Sequence, residues 1–132
     1  MAMLLFMGIF VSSCSDDDNE GETLAPLEGK WKLSQVGIKT GDTETLSDAP
    51  QNESGCDRDY MDLRISNAVI FGDYDSTVSE CELSETEGVY TRSHNNLTIV
   101  VGGVSTTQDI VNLTLSELKL KDPTGIITVY TR

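Results

Sequence analysis

Residues 27–36 read LEGKWKLSQV, and the spacing in this stretch decides the fold. Trp31 and Leu33 fall on one phase of a two-residue period while Lys30 and Lys32 fall on the other, the pattern of a half-buried β-strand. The same alternation recurs downstream in short runs separated by clusters of Gly, Asn, Asp and Ser. Candidate strands cover residues 29–38, 61–66, 68–72, 77–82, 88–93, 97–102, 106–113, 117–121 and 126–131. The second and third read as one bent strand, giving about eight in all. No stretch has helical periodicity.

The connections carry turn chemistry. Ser93, His94, Asn95 and Asn96 separate GVYTR from LTIVV, and asparagine tolerates the left-handed backbone of a tight hairpin. His94, the single histidine, is therefore expected as a polar turn residue. Gly102 and Gly103 mark the next reversal, and Asp122, Pro123, Thr124 and Gly125 the last. Residues 39–59, KTGDTETLSDAPQNESGCDRD, show no strand pattern and are expected as one long functional loop.

An all-β body of sequential short strands must hide its sheet edges, and closure into an antiparallel up-and-down barrel does so; a two-sheet β-sandwich is the alternative. Trp31, Leu33, Leu63, Ile65, Leu97, Ile99, Val101, Leu118, Leu120, Ile127 and Val129 would then point inward.

Upstream of this body, residues 1–13 (MAMLLFMGIFVSS) carry no charged side chain. Their apolar run, residues 1–11, would span only about 16 Å as a helix, half of a bilayer core, so it reads as the apolar region of a secretory signal rather than a membrane span. No Lys or Arg precedes it, so either the true start lies upstream or the signal is atypical. Residues 11–14, VSSC, resemble the lipobox of bacterial lipoproteins, which implies cleavage before Cys14 and a lipid on its thiol. The following Ser-Asp-Asp-Asp-Asn-Glu run resembles the surface-export signal of Bacteroidota lipoproteins, and it would also serve as a solvated tether over residues 14–26. The expected address is the outer membrane, lipid-anchored and exposed on the cell surface.

The formal net charge of −13 argues against nucleic acid as a partner. With Cys14 acylated, Cys56 and Cys81 remain, and an even pair in an exported protein favours a disulfide worth roughly 3 kcal/mol. A metal pair is the competing reading, though one histidine supplies few further ligands. Asp73, Asp75 and Thr77 open like a calcium loop, but Val78 and Ser84 stand where that loop needs Gly and Glu. No cofactor or metal site is expected, and no arrangement of nucleophile and base suggests an enzyme. Asp75, Ser76 and Thr77 also resemble an acceptor for O-linked glycans in exported Bacteroidota proteins. Tyr60 and Tyr74 flank turns and are candidate rim aromatics.

The Gly29-Lys30-Trp31 stretch resembles the Gly-x-Trp opening of lipocalin-like barrels. GVYTR followed by LTIVV, then IVNLTLSELKLK and the closing ITVYTR, resemble in their order the short lipocalin-like domains of Bacteroidota lipoproteins, over residues 27–132. The resemblance implies that Trp31 plugs the closed end of the barrel and that a late arginine, Arg132 or less naturally Arg92, packs on it. It also implies a small apolar ligand at the open end. The alternative is a barrel without a cavity that recognises a protein or glycan. The second lipocalin motif, an Asp and a Tyr in a later loop, has no counterpart.

Overall fold

A computed structural model describes residues 25–76 and 80–132. The described chain forms β1 (Gly29–Thr40), β2 (Thr43–Asp48), β3 (Tyr60–Leu63), β4 (Ala68–Asp75), β5 (Glu82–Ser93), β6 (Asn96–Val101), β7 (Val104–Leu113), β8 (Glu117–Lys121) and β9 (Ile126–Thr131). Each strand from β3 to β9 pairs antiparallel with the next, and β1 pairs with both β3 and β9, so eight strands close a barrel. The strand β2 lies outside this ring, paired to β1 alone.

Closure depends on β1, which serves three partners. One edge pairs with β9 from Lys32 to Ile38; the other takes β3 at Gly29–Lys32 and then β2 from Gln35 to Thr40. The gap between β3 and β2 is filled by the connecting loop. Leu33 N–H donates to the Asp59 carbonyl at 2.8 Å, Asn52 Nδ2 donates to the Leu33 carbonyl at 2.9 Å, and Ala49 N–H donates to the Ser34 carbonyl at 3.1 Å. No stretch of this edge is left without hydrogen-bonding partners, which a buried backbone requires. A register shift between Leu33 and Gln35 on the β9 side bends the strand as it enters its second half.

The strand β2 corrects the expectation of one patternless loop over residues 39–59. A two-residue turn with Gly41 at φ 61° folds TETLSD back onto β1. Most of its side chains are exposed, so the residues show no alternation to read. Gly37 makes the fold-back possible: a Cβ there would lie 1.9 Å from the Thr45 carbonyl oxygen and 2.7 Å from the Leu46 side chain. Glu44 then meets Lys119 of β8 at 2.9 Å.

Two other expectations change. The candidate strand 61–66 ends at Leu63, because Asn67 at φ 74° turns the chain and Arg64 N–H closes on the Ala68 carbonyl at 2.8 Å. Ile65 is consequently 86% exposed rather than inward. For the candidate strand 77–82, residues 77–79 lie outside the described residues, while Glu80 and Cys81 form a turn and only Glu82 is in a strand. Asp75 pairs with Glu82 at the far end of the β4–β5 ladder.

The core fills the end of the barrel where β1 begins. Trp31, Met61, Leu63, Val69, Leu97, Leu113, Leu118 and Leu120 are almost wholly removed from water there, and Phe71, Val101 and Tyr130 pack above them half-buried. Ile127 and Val129 are buried too, but on the other face of β9: their neighbours in register are Lys121 and Lys119, whereas Leu118 and Leu120 of the core face Tyr130 and Thr128. They are thus buried outside the barrel, not within it. Gly37, opposite Ile127 on one side and Leu46 on the other, places β2 beside them.

Gly37→Ala should therefore detach β2 and lower stability by about 1–3 kcal/mol, as expected of an unaccommodated methyl. A thermal melt displaced by less than a degree or two would show that the hairpin contributes nothing.

Candidate functional site

The closed end is built around Trp31. Its Nε1 donates to the Leu27 carbonyl at 2.8 Å, which turns residues 25–28 across the base of the barrel. The Arg132 guanidinium lies 3.8 Å from the ring centroid, donating through Nη1 to the Glu28 carbonyl, Nη2 to the Pro26 carbonyl and Nε to the Leu115 carbonyl, at 2.8–2.9 Å. Burial holds its pKa below the ordinary arginine value. Gly29, at φ 143°, passes beneath this group; a Cβ there would sit 2.7 Å from Nη1. Arg92 is elsewhere, donating to the His94 carbonyl at 2.7 Å, and His94 is an exposed turn residue at φ 56°.

The opposite end carries a different chemistry. Along β4 the face that bears Val69 and Phe71 continues to Asp73, and the residues opposite on β5 are Thr86 and Ser84. Apolar side chains therefore stop before the barrel does. Above them lies a cavity of about 270 Å³ lined by Leu33, Gln51, Asp59, Tyr60, Phe71, Gly72, Asp73 and Tyr130. Leu33, Phe71 and Tyr130 supply its apolar wall. Gln51 and Asp59 come from the loop between β2 and β3.

That loop is held from several sides. Cys56 is disulfide-bonded to Cys81 at the tip of the β4–β5 hairpin, with Cα atoms 5.4 Å apart. Asp59 Oδ1 accepts from Tyr74 N–H at 2.9 Å, Asp59 N–H donates to Asn52 Oδ1 at 2.9 Å, and the Ser76 hydroxyl donates to the Glu53 carboxylate. Burial pushes the Asp59 carboxyl above the usual range, against the pull of the Tyr74 N–H, and the nearby Asp73 carboxylate adds to the rise. The Tyr130 phenol, which lines the cavity, is pushed up to about 12 by burial and then by the charge of Asp59.

Of the candidate rim aromatics, Tyr60 is among the residues lining the cavity, but mainly as a packed side chain. Tyr60 is only 7% exposed and cannot offer an open stacking platform. It sits outward of the Met61–Trp31 pair, with Lys30 Nζ 4.1 Å from its centroid and its hydroxyl donating to Glu85. Gly72 opposite makes room for the ring, since a Cβ there would fall 2.1 Å from it. Tyr74 is half-buried beside it, with ring centroids 6.4 Å apart. Cys14 lies outside the described residues, as do Thr77 and Val78 of the calcium-like stretch. Among the described residues no group of His, Cys, Asp and Glu could hold a metal ion.

Sequence reasoning missed most of the mouth. Asp59, Asp73, Phe71, Gln51 and Tyr130 are scattered over the chain and carry no shared motif. Two other depressions are lined by Ser105, Thr106, Thr107, Gln108, Asp122 and Pro123, with polar and apolar surface in equal measure, and by Ser34, Asp48, Ala49, Asn52, Glu53, Ser54 and Arg58, with a mostly polar wall.

The chain is thus a closed eight-stranded antiparallel barrel, plugged at one end by a tryptophan under an arginine and open at the other. The sequence profile of the lipocalin-like domain matches residues 27–120, and the chain belongs to that family. Its members are generally binding proteins rather than enzymes. Two solved structures share the fold. A lipocalin-like protein from Bacteroides uniformis ATCC 8492 is 16% identical with a TM-score of 0.63, covering 80% of this chain and 97% of its own. An uncharacterized protein from Bacteroides eggerthii DSM 20697 is 10% identical with a TM-score of 0.61, covering 81% of this chain and 100% of its own. No protein of curated function matches the chain.

The two raised phenols give a pH test. The Glu85 carboxylate, accepting from the Tyr60 hydroxyl, raises Tyr60 to about 12, with burial adding to it. Both Tyr60 and Tyr130 keep their protons to higher pH when folded than the value of 10.0 that applies unfolded. Their contribution to stability is thus complete below about pH 10 and is lost as pH rises through 12. Stability measured by urea melts should fall over this interval, and Tyr60→Phe should flatten the fall; an unchanged slope would remove Tyr60 from the account.

Proposed function

We propose that this protein is a lipid-anchored, surface-exposed binding protein, without enzymatic activity, whose barrel takes one small apolar ligand at its open end. The observation that carries the reading is the cavity of about 270 Å³ walled by Leu33, Phe71 and Tyr130 above a filled core. Its size is near the lower bound of small-molecule sites, so the ligand is compact, of the bulk of a single substituted ring. The disulfide and the loop hydrogen bonds keep the mouth pre-formed, which lowers the ordering cost of binding.

Phenethyl alcohol, a neutral probe of this bulk, should bind with a Kd on the order of 1 mM, given the binding energy typical per ligand atom. Its NMR shift perturbations should centre on Leu33, Phe71 and Tyr130, and Phe71→Trp should abolish them by filling the space. Perturbations confined to the outer face would favour instead the reading of a barrel that recognises a protein or glycan by its surface.

The anchor supports a separate prediction. Acylation at Cys14 would leave residues 15–26 as an acidic tether, and Cys14→Ser should eliminate metabolic labelling with palmitate. A labelled Cys14→Ser protein would end the lipoprotein reading. Replacing Asp16, Asp17 and Asp18 by Ala should shield the protein from surface protease shaving if that run directs export.

A further inference from the structure

The cavity that accommodates the proposed ligand is not uniformly apolar, and its polar groups share one character. Asp59 and Asp73 both line it, and no Lys, Arg or His does. Burial makes the charged form of Asp59 costly, and the Asp73 carboxylate adds to that cost. The Tyr130 hydroxyl, near enough to Asp59 to feel its charge, makes no hydrogen bond to any described residue. A partly buried phenol hydroxyl with no hydrogen-bond partner among the described residues, lining one cavity with Asp59 and Asp73, leaves hydrogen-bonding capacity unused at the mouth.

We infer that the ligand is a small amphipathic amine, its protonated nitrogen set between Asp59 and Asp73 and in reach of the Tyr130 oxygen, its apolar body against Leu33 and Phe71. The inference rests on the reading of the cavity as a ligand site and names the class that site takes. An ammonium group supplies several N–H donors and a positive charge, and so satisfies carboxylates and a phenol oxygen together. It also offsets the repulsion between the half-buried Asp59 carboxylate and the exposed Asp73 carboxylate beside it. A fatty acid or other carboxylate ligand is the opposite case: its head would be a third negative charge at the mouth of a chain with formal net charge −13. That overall field draws cations toward the protein and repels anions before any contact is made.

Three probes of matched bulk separate the terms: phenethylamine, phenethyl alcohol and hydrocinnamate, titrated at neutral pH into the full folded domain and followed by NMR shifts. The amine should bind at least about tenfold more tightly than the alcohol, as a charge-assisted contact should, and hydrocinnamate should bind more weakly than either. Asp73→Asn should reduce the amine's advantage over the alcohol, measured on the same variant, to less than about twofold. Asp59→Asn, which retains an acceptor for Tyr74 N–H, gives the same test should Asp73→Asn fail to fold. Equal binding of amine and alcohol, or a preference that survives whichever of these variants folds, would overturn the amine assignment and leave the cavity reading intact. Failure of all three probes would overturn the cavity reading, and this inference with it.

Discussion

The Arg132 guanidinium over the Trp31 ring is the contact on which the barrel depends, because it ties the last residue of the chain to the first strand. A cation over an indole contributes roughly 1 kcal/mol, more when water is excluded, and here the same group also donates to three carbonyls from two separate segments. Arginine suits this position because its planar fork can stack and donate in several directions at once, which a lysine ammonium cannot. The contact joins the residue that follows β9 to the start of β1. Gly29 follows from it as a steric requirement, since the backbone must pass where a side chain would strike the guanidinium.

From that fixed base the barrel changes character along its axis. The lower interior is filled by Trp31, leucines and Met61, and burying each such side chain stabilises the fold by about 1.5–3 kcal/mol. Further up, the inward face of β4 and β5 changes to Asp73, Ser84 and Thr86, side chains that favour water over a closed core. The consequence is a mouth that cannot collapse into a dry plug. The buried apolar contacts are concentrated at one end.

The loop between β2 and β3 connects these two roles. It completes the hydrogen bonding of β1 through Ala49, Asn52 and Asp59, and it also delivers Gln51 and Asp59 to the cavity. Crosslinking by Cys56 and Cys81 ties it to the β4–β5 hairpin, so the two sides of the mouth are joined covalently. One segment thereby closes an exposed strand edge and shapes the site.

The class of fold was legible in the sequence, because two-residue alternation and turn residues are local and survive without a structure. Trp31, Leu63, Leu97, Leu118 and Leu120 read as inward and are, and the disulfide expected of Cys56 and Cys81 is present. What alternation could not show is anything that depends on which strand lies beside which. The edge strand β2 has no buried stripe to reveal it, and Ile65 kept the right phase but stands beyond the last paired residue. Ile127 and Val129 were apolar and buried, yet outside the ring. The mouth is the clearest case: Leu33, Asp59, Phe71, Asp73 and Tyr130 come from four separated places in the chain, and only closure of β1 on β9 brings them around one space. Local pattern determines strands and their apolar faces; the site is decided by register, which is a property of pairs of strands and not of any one of them.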